Sequence, residues 1–315
     1  MNIMSEKIAQ IKNILVQLDI ESWLVFVRET SMQSDPVANL VIGHDVVWPS
    51  FFIYTRTGEA IALVGNFDQE NFVRSGCFTD VQTYTEGAGK SILDILTGLN
   101  PKSIGLNYSL DNPAADGLTH GMFLLLNDYL KGTPFTDRFV SAEEISSRLR
   151  SRKILAEIGL LSKAAEMADR AWQNAIDKIK EGLTEHEIGA IIDSEIANLG
   201  GINSFPTIVN AGNKTKPGHS LPTDAKLEPG DLLHVDFGVR WQDYCSDIQR
   251  LLYIKHYDET KPPDKLLQAF DLIKQIITDS AARTVVGATG CEIDTLARKA
   301  LRDHGHPEYH HALGH

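Results

Sequence analysis

Cysteine is scarce in this 315-residue sequence, and the three that occur, Cys77, Cys245 and Cys291, are odd in number and far apart. Such usage excludes a disulfide-stapled secreted scaffold and is typical of a protein in a reducing compartment. Long apolar runs are also missing, so no segment is predicted to span a bilayer. The first residues alternate charged and apolar side chains at helical spacing and lack the apolar core of a signal peptide. We therefore expect a cytoplasmic protein.

Basic residues are in deficit, because 30 Lys and Arg stand against 42 Asp and Glu and give a formal net charge of −12. This balance argues against a surface for nucleic acid or for an anionic membrane, so neither is expected as a partner. The remaining composition, 43% hydrophobic and 23% charged, is ordinary for a globular protein. A chain of this length exceeds the usual size of one hydrophobic core, which predicts two domains.

The pattern of elements changes near residues 140–150 and predicts an α/β (α+β) protein with domains at 1–142 and 143–315. An amphipathic helix is expected from Glu6 to about Leu18. Short apolar strands then alternate with helical stretches, which is typical of a small α/β domain. The second half is helical at first, becomes rich in strands, and returns to helix near its end.

Two helix starts are predicted from capping patterns in the second half. Residues 140–182 are expected to form one long charged helix, and Ser141 with Glu144 matches a capping box at its start. Thr184 with Glu187 matches a second capping box, which predicts that another helix begins there.

The segment HVDFGVRWQDYCSD, residues 234–247, predicts two strands joined by a tight turn at Trp241–Gln242. That turn places Asp236 directly opposite Asp247, on one face of the strand pair with Cβ atoms about 4.5–5.5 Å apart. The flanking residues are apolar, so both carboxylates are expected in the interior, where like charges repel. A divalent cation between them would justify the pair. The alternative is a solvated pair near a hairpin turn, which is the state expected for Asp243.

Three histidines accompany this pair. His219 lies in a loop of turn residues ahead of the strand that carries Asp236, and the chain ends in YHHALGH with His311 and His315 four residues apart. Carboxylate with imidazole suits manganese, cobalt, iron or zinc, whereas sulfur is typical of a structural zinc site. Each histidine also has an ordinary explanation, as a loop residue or as part of a purification remnant, although the terminus is not a polyhistidine run.

The order of these motifs resembles the creatinase/prolidase/methionine aminopeptidase superfamily, the pita-bread metallopeptidases, and especially its Xaa-Pro branch of prolidase and aminopeptidase P. The resemblance runs from about Glu144 to the last residue. It rests on GLTEHEI, FPTIVNAGN, GHSLPTD, LEPGDLLHVDFG, YCSDIQR and the terminal HHALGH. It implies a pita-bread catalytic domain behind a smaller amino-terminal domain, in a homodimer. It also implies hydrolysis of short peptides with proline in the second position, with two divalent ions (manganese, cobalt or zinc) as cofactors.

By this resemblance Asp236, Asp247 and His315 are metal ligands. His219 matches the histidine that contacts the substrate near the scissile bond and helps to stabilise the transition state. His311 matches a second histidine of the cleft that helps to hold the peptide. The implied chemistry is attack of a metal-activated hydroxide on the carbonyl of the first residue, while a metal and a histidine stabilise the oxyanion.

The sequence departs from the family pattern at its end and at Gln249. The family has two more glutamate ligands and the last strands of its sheet beyond the histidine matched by His315, where this sequence stops. Three ligands do not hold a dinuclear centre, so we expect a pita-bread domain cut short, either as a fragment of a longer protein or as an inactive form. Gln249 stands where the family commonly has threonine, which alters the surroundings of Asp247.

Two other functions remain open from the sequence. A creatinase-like member would hydrolyse a small C–N compound without metal, but such an enzyme has no reason to keep facing aspartates. A non-catalytic relative would use the fold as a peptide- or protein-binding module, and replacement of the two glutamates would be its signature.

Overall fold

The computed structural model describes residues 2–215 and 220–314, and the backbone forms two compact units. The first comprises the residues up to Met167 together with Val239–Ser246, and the second comprises Ala168–Gly238 and the residues from Asp247 onward. The domain boundary predicted between residues 142 and 143 stays a prediction. No helix within the described ranges combines the length and the apolarity needed to cross a membrane.

A six-stranded mixed sheet organises the first unit. Its strands are Ser22–Val27 (β1), Ser50–Thr55 (β2), Ala60–Gly65 (β3), Asp80–Tyr84 (β4), Ile104–Leu106 (β5) and Phe139–Ser141 (β6). They follow the order β4-β3-β2-β1-β5-β6. β2 is antiparallel to β1 and β3, whereas β5 runs parallel to β1 and β4 runs parallel to β3. The predicted α/β class is confirmed.

Helices cover both faces of this sheet. They are Ile3–Leu18 (α1), Ala38–Val41 (α2), Gln69–Ser75 (α3), Gly89–Leu99 (α4), His120–Tyr129 (α5) and Glu143–Ser151 (α6). Successive residues of β1 point to opposite faces, so Trp23 joins the core cluster that contains Ile11 of α1, and Leu24 joins the cluster that contains Ile92 of α4. Because both faces are buried, the central strands are apolar throughout instead of alternating.

The single long helix predicted over residues 140–182 is wrong. The chain forms α6 and then α7 (Leu155–Ile176), with a break at residues 152–154. The carboxylate of Glu157 accepts a hydrogen bond from the backbone N–H of Ile154 at 2.8 Å, which satisfies a donor that the break exposes. A tertiary contact accompanies the break, because the ammonium group of the distant Lys7 donates to the carbonyls of Leu149 and Arg152.

One of the two predicted capping boxes forms. Ser141 does not cap a helix with Glu144; its hydroxyl donates to the carbonyl of Tyr108 at 2.6 Å, and α6 begins one residue before Glu144. Thr184 does cap the next helix, because its hydroxyl accepts from the backbone N–H of Glu187 and the Glu187 carboxylate accepts from the backbone N–H of Thr184. The second prediction is confirmed and the first is wrong.

The second unit is built on a three-stranded antiparallel sheet. The helices of this half of the chain are Glu185–Asn198 (α8), Asp264–Arg283 (α9) and Gly290–Asp303 (α10). The strands of this half of the chain are Ile202–Asn203 (β7), Ile208–Ala211 (β8), Leu232–Phe237 (β9), Val239–Trp241 (β10), Tyr244–Cys245 (β11) and Ile248–Tyr253 (β12), of which β10 and β11 belong to the first unit. The sheet has the order β12-β9-β8. Leu233, Val235 and Phe237 of β9 are buried, whereas His234 and Asp236, on its other face, are only partly buried.

Candidate metal centre

The strand β9 carries Asp236, Asp247 lies one residue before β12, and the two strands pair in a different register from the one predicted. Asp236 pairs with Gln249 and not with Asp247, so the predicted register is wrong by two residues (249 − 247). The pairing near the tip of the hairpin has the same register, because Arg240 pairs with Cys245 there.

The turn at the tip explains the shift. Trp241 pairs with Tyr244, so the two turn residues are Gln242 and Asp243, one position later than predicted. Both have left-handed backbone angles, with φ of 49° and 66°, as a type I′ turn requires. Aspartate tolerates that conformation better than a bulky tryptophan does. Moving the turn by one residue moves every pair by two, and Asp243 is exposed as expected.

Asp247 lies one residue before β12, where the same register continues, because the backbone N–H of Ser246 donates to the carbonyl of Val239. That register sets Asp247 opposite Gly238 and diagonal to Asp236, so we infer that a register shift of two residues keeps both carboxylates on one face. Their carboxyl groups lie within hydrogen-bonding reach of each other. Asp236 is partly buried and Asp247 is exposed, so the expected interior position holds only in part.

The electrostatics of Asp236 favour a positive charge beside it. Burial raises the pKa of its carboxyl, the charge of Asp247 raises it further, and a hydrogen bond from Gln249 partly opposes both. Its Oδ2 accepts that bond from Gln249 Nε2 at 3.0 Å, whereas its Oδ1 is buried and has no hydrogen-bond partner. Two ionised carboxylates have no proton to share, so an unpaired oxygen next to Asp247 suits a divalent cation.

The third predicted ligand cannot be placed beside this pair. His315 and the predicted catalytic His219 both lie outside the described residues. Within residues 2–215 and 220–314, no group of three or more His, Cys, Asp or Glu side chains forms a metal cluster. The residues that do meet, Asp236 and Asp247, supply hard oxygen ligands and fit such a site in chemistry, although two carboxylates alone do not complete it.

His311 is described and lies on the surface after α10. Its Nδ1 donates to the carbonyl of Ala312 at 2.6 Å, and its ring stacks on Tyr309 with centroids 4.9 Å apart. Its own carbonyl accepts from Arg298 Nη2 at 2.7 Å. Because Nδ1 carries the proton in this arrangement, the neutral ring presents Nε2 as an acceptor. These contacts are local and do not join His311 to Asp236 and Asp247.

Sequence reasoning missed the polar neighbours that hold this part of the sheet. In the sequence Gln249 stands out only as a departure from the family pattern, yet it donates to Asp236. Glu185 is fully buried, and nothing in the sequence around it marks it as important. It accepts from the backbone N–H of Ala211 at 2.9 Å, at the end of β8, and from the backbone N–H of Thr223 at 2.8 Å. The contact of Gln249 with Asp236 follows once the correct register is known. No local pattern in the sequence indicates the contacts of Glu185.

Comparisons with known proteins place this geometry in a family. The family model described as metallopeptidase family M24 matches residues 159–315. A curated Xaa-Pro dipeptidase of Pyrococcus furiosus is 29% identical over 179 residues, which cover 56% of this chain and 50% of that protein. The Xaa-Pro dipeptidase of Pyrococcus horikoshii is 30% identical over 179 residues, with the same 56% and 50% coverage. The chain thus spans about half the length of the curated relatives that it matches.

The similarity of the fold extends further than that of the sequence. The solved structure of an Xaa-Pro dipeptidase from Bacillus anthracis superposes with a TM-score of 0.80 at 20% identity, covering 99% of this chain and 81% of that one. At such identity the likeness concerns the fold, and it confirms the pita-bread architecture inferred from the motifs. Over residues 159–315 the chain therefore belongs to metallopeptidase family M24, in the Xaa-Pro branch of the pita-bread superfamily.

Proposed function

We propose that this protein is a metal-dependent peptidase that hydrolyses the bond before proline in short peptides. The observation that carries the proposal is the state of Asp236: its Oδ1 is buried without a hydrogen-bond partner, and the nearby charge of Asp247 raises the pKa of its carboxyl. The curated relatives named Xaa-Pro dipeptidase supply the substrate class. A cation between the two carboxylates would offset their repulsion, which the hydrogen bond from Gln249 opposes only in part.

The proposed ligands are Asp236, Asp247 and His315, as part of a site for two divalent ions of manganese, cobalt or zinc that the two further glutamates of the family pattern would complete. Carboxylate oxygens and imidazole suit these ions, whereas a structural zinc centre typically uses thiolates, which none of the three proposed ligands supplies. When bound, such ions polarise a carbonyl oxygen and provide a strong nucleophile at neutral pH. The part of the aspartates is to hold the ions, and Gln249 leaves one oxygen of Asp236 available for that purpose.

The substrate is handled by two histidines in this proposal. His219 donates to the oxygen of the scissile carbonyl as negative charge develops there, which is the role with the largest effect on the rate. His311 helps to hold the peptide, and its Nε2 is the atom available to do so because its Nδ1 is bonded to Ala312. The proline ring of the substrate removes a donor N–H at the cleaved bond, so recognition relies on shape and on the neighbouring carbonyls.

Three further expectations accompany the proposal. The domain boundary lies between residues 142 and 143, with the chemistry in the second domain. The protein acts in the cytoplasm as a homodimer. The acidic balance of the sequence argues against nucleic acid and anionic membranes as partners.

Metal analysis combined with a peptide assay tests the function. The full-length protein, reconstituted with Mn²⁺, is expected to retain about two ions per chain and to cleave alanyl-proline in preference to alanyl-alanine. Asp236→Asn and Asp247→Asn should each lower metal content and activity together, whereas Asp243→Asn, at the exposed turn, should change neither. Unchanged metal content in the first two variants, or no hydrolysis by metal-loaded protein, would contradict the proposal. Peptide binding without hydrolysis would favour a binding module.

A further inference from the structure

Three polar side chains lie in a row on the face of the sheet that carries Asp236. His234 and Asp236 are two residues apart on β9 and so share a face, and Gln249 is the direct cross-strand partner of Asp236. Gln249 Nε2 is 3.0 Å from Asp236 Oδ2, and Gln249 Oε1 is 3.2 Å from His234 Nε2. The side-chain amide of Gln249 therefore bridges the two residues of β9.

Only one assignment of hydrogen-bond donors and acceptors fits the three side chains of this row. An ionised carboxylate only accepts hydrogen bonds, so the amide of Gln249 must turn its NH₂ group toward Asp236. Its carbonyl oxygen then faces His234 and can only accept, which requires a proton on His234 Nε2. Each member thus fixes the orientation of the next, and the amide cannot flip without placing two acceptors together at one end.

The bridge divides the two oxygens of Asp236 between different tasks. Oδ2 accepts a hydrogen bond from Gln249, and Oδ1 remains buried without a hydrogen-bond partner. The bond to Gln249 restricts rotation of the carboxylate and so fixes the direction in which Oδ1 points. Hydrogen bonds of this kind to a ligating group orient it and typically change metal affinity by about 10- to 100-fold.

We propose that Gln249, oriented by His234, is a positioning residue that holds the carboxylate of Asp236 and keeps its Oδ1 available to a divalent cation. This inference rests on the proposed function, because it assumes that Asp236 binds metal. It goes beyond it by assigning a role to two residues that are not ligands. The family commonly has threonine at position 249. Its side chain is shorter than that of glutamine and does not reach Asp236 and His234 together.

Cobalt binding to the full-length protein tests the assignment. Co²⁺ is titrated into metal-free protein, and its visible absorption reports both affinity and ligand geometry. Gln249→Met keeps the length of the side chain and removes both hydrogen bonds, and it is expected to weaken Co²⁺ binding by about 10- to 100-fold and to change the spectrum. Gln249→Thr should do the same. Gln82→Met provides the matched control, since Gln82 is an exposed strand residue that donates to Asp80 Oδ2 at 2.7 Å.

A double-mutant cycle isolates the part played by His234. His234→Ala alone should weaken Co²⁺ binding by a smaller factor than Gln249→Met does. In the Gln249→Met background it should have no further effect, because His234 acts only through the amide. If the two substitutions weaken Co²⁺ binding by factors that multiply in the double variant, His234 does not act through Gln249 and the inference is wrong.

Two measurements separate this inference from the proposed function. If wild-type protein binds Co²⁺ and Gln249→Met binds it with equal affinity and an equal spectrum, the inference falls and the proposed function stands. If wild-type protein binds no Co²⁺, the proposed function falls and this inference falls with it. NMR of metal-free protein provides a readout without any metal: His234 should carry its proton on Nε2, and an unprotonated Nε2 would overturn the assignment.

Discussion

Lys7 Nζ lies 3.0 Å from Glu157 Oε2, and the side chains of the two residues are only 0% and 2% exposed. The ammonium group also donates to the carbonyl oxygens of Leu149 at 2.6 Å and Arg152 at 2.9 Å. All three of its N–H donors are therefore used, at the carboxyl end of α6 where a positive charge is favoured. This contact joins α1 to the break between α6 and α7, 150 residues away in sequence.

Removal of the Lys7 charge should strongly destabilise the fold. Lys7→Met leaves the carboxylate of Glu157 buried without its cation, which typically costs about 3–5 kcal/mol. Urea unfolding measures the loss. Lys163→Met, which removes a half-exposed partner of Glu166, should cost no more than about 1 kcal/mol. If both variants lost the same small free energy of unfolding, the role assigned to the buried pair of Lys7 and Glu157 would be wrong.

Replacement of Glu185 by glutamine should loosen the end of β8. The two carboxylate oxygens accept from different partners, Ala211 on one side and Thr223 on the other, and glutamine has one acceptor oxygen. Glu185→Gln therefore leaves a backbone donor facing an NH₂ group, at an expected cost of about 1–3 kcal/mol. Hydrogen exchange at the Ala211 or Thr223 amide should accelerate. Glu187→Gln, at the exposed capping box, should leave those amides unchanged.

The stability of the protein should fall above pH 10, in part through Tyr84. Burial raises the pKa of Tyr84 to about 12, with smaller contributions from Tyr129 and Asp68, and its hydroxyl donates to the carbonyl of Pro49. The unfolded chain, in which tyrosine titrates near pH ~10, loses this proton first. The free energy of unfolding contributed by Tyr84 is thus fully present below pH ~10 and lost as the pH rises to about 12.

Chemical unfolding at several pH values tests the Tyr84 prediction. Tyr84→Phe should make the fall between pH ~10 and ~12 shallower by on the order of 1 kcal/mol, an amount reduced by the partial exposure of the ring. Tyr108→Phe, at an exposed tyrosine, is the control. Parallel curves for wild type and Tyr84→Phe would contradict the assignment.

The proposed catalytic histidine should affect turnover far more than fold. If His219 stabilises the developing oxyanion, His219→Ala should lower kcat by about 10²-fold or more, with little change in the urea midpoint. Steady-state hydrolysis of an Xaa-Pro dipeptide by metal-loaded protein measures it. His120→Ala, at the exposed start of α5, should retain full activity. An unchanged kcat in His219→Ala would remove this residue from the mechanism.

Local sequence signals predicted most elements but not where one long helix is interrupted. The helix expected from Glu6 to Leu18 occupies Ile3–Leu18, because its apolar residues recur at helical spacing and are buried by the sheet. The break at residues 152–154 has no local breaker, since the segment contains neither proline nor glycine. It coincides with the contacts of Lys7, which come from a distant part of the chain and leave no local pattern.

The sequence by itself determined the alternation of side chains along the strand that carries Asp236, since a strand has a period of two and a register shift of two residues preserves it. Only the tertiary structure decided which residues pair, because the backbone at Gln242 and Asp243 selected the turn and with it the register. The same register put Gln249 opposite Asp236 and left a single carboxylate oxygen without a partner. Periodicity is a local property of the chain, whereas pairing depends on residues that meet only after folding.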